Sequence, residues 1–122
     1  MNDALVIILE RDATELARET VDSMEARDPD LFTRYGARGR TYCLEDTVYH
    51  LQHLAAALST DDIDEFRSYR GWLDAMLGAR GIAGSDIEAN FAAIADVLSG
   101  RLGAGADRAV AFLHVNRGEE RS

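Results

Sequence analysis

The chain has 122 residues, 47% hydrophobic and 29% charged, which suits one domain with a modest core. Its net charge of -9 argues against nucleic acid, because phosphate neutralisation needs clustered positive charge, and against anionic membrane surfaces. All 13 basic residues are Arg, a bias expected of a GC-rich genome or of salt adaptation, and the single cysteine excludes an internal disulfide and fits a reducing cytoplasm.

The first predicted helix covers residues 3–27. Its seam is Leu5, Ile8 or Leu9, Ala13, Leu16, Thr20 and Met24. The other face is charged, with Glu15 and Glu19 at an unfavourable spacing and Arg18 and Asp22 at a favourable one. The apolar run from Leu5 to Leu9 is too short for a membrane span and lacks a basic leader or cleavage site. Asp28, Pro29 and Asp30 end the helix, since the residue before proline disfavours helical backbone. A short helical turn over residues 31–35 stops at Gly36.

Residues 38–59 form the most regular predicted helix and carry Cys43 with two of the three histidines, His50 and His53. Leu44, Val48, Leu51, Ala55 and Leu58 make one apolar stripe. Cys43, Thr47, His50 and Leu54 run beside it, and Tyr42, Asp46, Tyr49 and His53 make a third stripe. Glu45, Gln52 and Ala56 are left for water. A polar, aromatic and thiol-bearing strip thus borders the core face, where a helix meets either a ligand or a second subunit.

Thr60 is the expected cap of the next helix, with Asp61, Asp62 and Asp64 at its positive end. Its inward positions are Ile63, Phe66, Leu73, Met76 and Leu77, and it ends at Arg80 and Gly81. Ser85 to Glu88 reads as a capping box opening a helix with the seam Ile87, Phe91, Ile94, Leu98 and Leu102. Gly100, Gly103 and Gly105 break it. A last helix covers residues 106–115 with Val110 and Leu113 inward, and the tail 117–122 is expected to fray. No strand-period pattern of useful length occurs. The fold class is all-α, a bundle of five to six helices.

The nucleophile elbow, the zinc-protease helix, the phosphate-cradling glycine loop and the paired-cysteine motif are absent. Asp46, His50 and His53 share a spacing that can present metal ligands, but no neighbouring helix offers an obvious fourth ligand, so a hydrated helix edge is the simpler reading. No later histidine is placed for a haem. Cys43 reads either as a small buried hydrophobe or as an attachment thiol, with Arg38, Arg40 and the helix N-terminus favouring thiolate. His50 is two turns away, too far for a Cys–His pair, so the chain is read as no enzyme. Tyr69, Trp72 and Met76 on one helix read as core packing.

The run RGRTYCLEDTVYHLQHLAAALSTDD resembles the chromophore-attachment helix of phycobiliproteins and their phycobilisome relatives. The helix holding Gly71, the Gly81-Ile82 break and the amphipathic helix after it extend the resemblance over residues 35–102. Ala83 stands where that family has proline, and Glu45 where it has an arginine against a propionate. The segment is also similar to helical segments fused to cobalamin-binding regulators in non-photosynthetic bacteria, of which these residues would be the helical part alone.

The resemblance implies a globin-like fold, with residues 37–116 as the phycobiliprotein-like core of a single domain spanning 1–122. It places Cys43 as the thioether thiol for a linear tetrapyrrole (a bilin) and Asp46 as the carboxylate for the pyrrole N–H groups, a charge-assisted contact. Arg38 or Arg40 would compensate for Glu45, and Tyr49 and His50 follow Asp46 and Cys43 on the same two stripes. Two readings stand: a cytoplasmic sensor or regulatory domain holding a bilin, and a ligand-free helical dimerisation or interaction module. The long first helix, with its leading apolar run, suggests a homodimer, and a regulatory role suggests a protein partner.

Overall fold

A computed structural model describes residues 2–115. The expected tail, 117–122, lies outside the described residues. Six α-helices occur among the described residues and no strand: α1 (Asp3–Arg11), α2 (Ala13–Arg27), α3 (Gly39–Ser59), α4 (Ile63–Ala79), α5 (Gly84–Leu102) and α6 (Asp107–Leu113). Tighter helical turns cover Phe32–Tyr35 and Gly103–Ala106. Among the described residues, no helix is long and apolar enough to cross a membrane.

The expected first helix is two helices. Asp12 sits at φ -106° and ψ 18°, between α1 and α2. The backbone ladder passes through it, Asp12 N donating to Ile8 O at 2.9 Å and Leu16 N to Asp12 O at 2.8 Å, so this is a kink. It lets α1 pack on α3 while α2 packs against both α3 and α5. Leu5 and Leu9 are buried in α1, and Ala13, Leu16, Ala17, Thr20, Val21 and Met24 in α2. The Glu15–Glu19 repulsion is removed by Arg101 of α5, whose guanidinium binds both carboxylates. Asp22 pairs with Arg40 of α3, where Arg18 was expected.

α3 is the central element, packed against α1, α2, α4 and α6. Leu51, Ala55 and Leu58 are buried as expected, while Leu44 and Val48 pack at the margin. Thr47, His50 and Leu54 of the neighbouring stripe are equally buried, so the buried face is wider than the apolar stripe. Gly39 begins α3 under the preceding turn. A Cβ there would lie 2.9 Å from Phe32 O and 3.0 Å from Tyr35 Cβ. Gly39→Ala is therefore expected to cost about 1–3 kcal/mol despite alanine's better helix propensity, read by urea unfolding.

Thr60 is not the cap of α4. Asp61 adopts φ +52° and closes α3 in a Schellman arrangement, with Asp62 N donating to Ala57 O at 2.9 Å and Asp61 N to Leu58 O at 3.0 Å. That closure uses residues 60 and 61, and the cap passes to Asp62, whose side chain accepts from Glu65 N at 3.2 Å. The capping box at Ser85 does not form either. Helix α5 starts at Gly84, so Ser85 lies inside it, and the carboxylate of Glu88 is taken by Arg70. Gly100 lies within α5, which runs on to Leu102 before Gly103 turns the chain at φ +55°.

One core joins the helices around Leu9, Leu16, Leu51, Leu54, Leu58, Phe66, Leu73, Phe91, Ile94 and Phe112. A second, smaller cluster holds Val21, Met24, Leu31, Phe32 and Ala93, with Tyr35, Cys43 and Leu44 packed on it. The site lies beside this second cluster.

Candidate functional site

A cleft of about 620 Å³ opens between the first half of α3, the end of α4 and the start of α5. Ligand sites in small domains span about 300–1,000 Å³. Met24, Leu31, Phe32, Leu77, Ile82 and Ile87 supply apolar wall. The Schellman end of α4 shapes one rim, with Gly81 at φ +90° and Ile82 N donating to Leu77 O at 3.0 Å. Tyr35 holds another, since its hydroxyl donates to Asp86 and accepts from Ala83 N at 3.2 Å.

Three of the sequence-read residues, Cys43, Asp46 and His50, line this cleft, as does Glu45. Three do not. Arg38 lies over the Tyr42 ring, 5.2 Å from its centroid. Arg40 turns back to α2, its Nε 3.0 Å from Glu25. Tyr49 is half exposed beside His53, ring to ring at 4.7 Å. The cation that lines the cleft is Arg80, which has no ion pair among the described residues. Sequence reasoning took Arg80 only as the end of a helix, and nothing in its spacing would have marked it.

Cys43 is not poised as a thiolate. Burial pushes its thiol up to about 11, with Asp46 adding to the rise, and the neighbouring Thr47 side chain and the charge of Arg40 do not offset it. The expected activation falls short: Arg40, held by Asp22 and Glu25, lowers the thiol less than burial raises it, and Arg38 lies over Tyr42. Alkylation of Cys43 by iodoacetamide at about pH 8 should therefore run at least tenfold slower than that of a free thiol, accelerating toward about pH 11. A rate equal to that of an unfolded control would contradict the burial.

Asp46 is half-buried, and its carboxyl is raised above the ordinary value by that burial, while Arg80 pulls it down and Glu45 pushes it up. His50 is 2% exposed, and its Nδ1 lies 2.7 Å from the Tyr69 hydroxyl. Burial lowers the imidazole to about 3, helped by the nearby charges of Arg70 and His53. It is neutral at ordinary pH. His53 instead stacks on Tyr69 at 4.0 Å, so Asp46, His50 and His53 do not converge, and no three metal-ligating side chains gather among the described residues. Trp72, expected in the core, is 53% exposed.

Asn90 of α5 is the second residue that sequence reasoning missed. It is 6% exposed, lines the cleft, and donates from Nδ2 to Thr47 Oγ1 at 3.0 Å. Its place on the buried seam next to Phe91 was the available signal. No family model matches the chain, and no curated protein and no solved structure matches it.

Proposed function

We propose that this chain is a small, non-enzymatic, cytoplasmic sensor or regulatory domain of globin-like, phycobiliprotein-like type that holds a linear tetrapyrrole in the cleft beside Cys43 and Asp46. The observation that carries the reading is that Cys43, Asp46 and His50 line one cleft of about 620 Å³. The residues suit such a group in three ways. A thiol lies in the wall for attachment, a carboxylate lies one turn on for pyrrole N–H groups, and Arg80 supplies a cation for a propionate in place of Arg38 or Arg40. When bound, the tetrapyrrole would supply visible absorption and a conformation that responds to its surroundings.

Attachment adds the Cys43 S–H across a carbon–carbon double bond of the ligand, sulfur to one carbon and the proton to the other. A thiol held near 11 adds slowly alone, so a lyase is expected to assist. Co-expression with a bilin pathway and lyase should give coloured protein whose pigment stays attached on denaturation. Cys43→Ala should abolish that attachment, Asp46→Asn should shift the band, and Glu45→Arg should raise occupancy. Colourless wild type under these conditions, with no gain from Glu45→Arg, would sink the tetrapyrrole reading.

A second reading, a ligand-free dimerisation or protein-interaction module, draws on the exposed apolar side chains. Ile7, Tyr42, Tyr49 and Trp72 are each at least half exposed. Of the apolar run on α1, Ile7 rather than the half-buried Ile8 is the side chain left open for a homodimer contact. Light scattering at micromolar concentration should give a dimer that Ile7→Glu converts to monomer. A monomeric wild type would count against it.

A further inference from the structure

The floor of the cleft holds two buried polar side chains, His50 and Asn90, and hydrogen-bond direction settles what each offers. The Tyr69 hydroxyl meets His50 Nδ1 and has no other acceptor among the described residues. We assign the hydroxyl as donor to Nδ1, which puts the ring proton on Nε2. That Nε2–H has no protein acceptor among the described residues. The other chain starts at the Cys43 carbonyl. Thr47 Oγ1 gives its only proton to Cys43 O at 2.7 Å. It can then only accept from Asn90, so the atom 3.0 Å away is the amide nitrogen. The same nitrogen lies 3.3 Å from Met24 Sδ and 3.9 Å from Cys43 Sγ, weak acceptors for its remaining hydrogen. Asn90 Oδ1 is left with no donor among the described residues.

The two groups share one wall. His50 lies one turn beyond Thr47 on α3, and Asn90 precedes Phe91, whose ring is 5.0 Å from the imidazole. We propose that the floor of the cleft recognises the donor–acceptor edge of a cis-amide, a lactam or an imide, carried on an apolar ring body. The ligand carbonyl accepts from His50 Nε2–H, and the adjacent ligand N–H donates to Asn90 Oδ1. This rests on the reading of the cleft as a ligand site and goes further by naming the chemistry at its buried end. A carboxylate is a poorer match, because it would face Oδ1 with like charge. An amine is poorer too, because it offers Nε2–H no carbonyl. A matched edge meets both groups at once, whereas a ligand lacking either leaves one of them covered and unpaired.

Three probes test the proposal on the full chain, with amide chemical shifts as the readout: carbostyril, a bicyclic aromatic lactam; N-methylcarbostyril, which lacks the donor; and naphthalene, which lacks both groups. Carbostyril should bind about tenfold more tightly than its N-methyl form, the worth of one buried hydrogen bond. Asn90→Ala should close that gap, and His50→Phe should weaken carbostyril about tenfold while leaving naphthalene unchanged. If naphthalene binds and carbostyril binds no tighter, the cleft is a plain apolar site and the amide edge is wrong. A gap that survives Asn90→Ala would be steric and would equally overturn the proposal. If no probe shifts the cleft resonances, the ligand-site reading itself fails and the proposal falls with it. Should either variant fail to fold, the ranking of the three probes on the wild type decides alone.

Discussion

Arg70→Ala is expected to destabilise the fold by about 3 kcal/mol, a core-sized effect from a residue type that normally sits in water. Arg70 is 1% exposed in the middle of α4. Its guanidinium lies 4.3 Å from the centroid of the Phe91 ring, its Nε is 3.2 Å from Asp74 and a terminal nitrogen is 2.7 Å from Glu88. Truncation removes the stacked contact with α5, leaves a void, and strips Asp74 of the guanidinium beside it. The Glu88 bond adds less, because that carboxylate is 56% exposed and screened. Arg70→Met separates packing from charge. It refills most of the space and should recover about half of the loss. Urea unfolding followed by circular dichroism measures both. An alanine variant within about 0.5 kcal/mol of wild type would mean that the buried guanidinium contributes little beyond what solvent gives it.

The helices were legible where hydrophobic period alone determines them. The seam Ile87, Phe91, Ile94 and Leu98 is buried as written, and so are Phe66, Leu73 and Leu77. The termini were less legible, because tertiary partners compete with local caps. Glu88, the expected partner of Ser85 in a capping box, is drawn to Arg70, and Thr60 lost its role to Asp62 once Asp61 took positive φ. The kink at Asp12 was hidden by the unbroken apolar run before it.

Half of the site was readable for the same reason that the helices were. Cys43, Asp46 and His50 face one cleft because their spacing on α3 puts them on adjacent stripes. Arg38 and Arg40 have the right charge but the wrong bearings, and no sequence rule foresees that Asp22 and Glu25 of α2 lie within reach of Arg40. Arg80 follows the last residue of α4 and Asn90 belongs to α5, and only the packing of those helices brings them to the cleft. Arg70 reads as an ordinary surface arginine until α5 covers it.

The second large effect concerns acid. Lowering the pH from about 7 to about 5 is expected to remove roughly 2 kcal/mol of stability through His50 alone. Burial depresses the folded imidazole from 6.5 to about 3, with Arg70 and His53 adding to the shift. Below 6.5 the unfolded chain takes a proton there that the folded chain refuses. The stability that His50 contributes is thus complete above that value and drains away as pH falls toward the folded value. Asp46 works in the opposite sense, because its carboxyl is raised in the fold and acid favours the folded form. Asp12, Glu19 and Asp61 are lowered by Arg11, Arg101 and Arg108 in turn, so they add to the acid loss, mostly below the window chosen. His50→Gln isolates the imidazole. It should be less stable than wild type near pH 7, having lost the Tyr69 bond and the ring contact with Phe91, yet lose about 2 kcal/mol less on going to pH 5. Arg70→Met should also flatten the wild-type slope, since it removes the largest charge that opposes protonation. Parallel slopes for wild type and His50→Gln would mean that the imidazole is charged, or reached by water, in the folded state. The donor at the floor of the cleft would then no longer be the one that Tyr69 fixes.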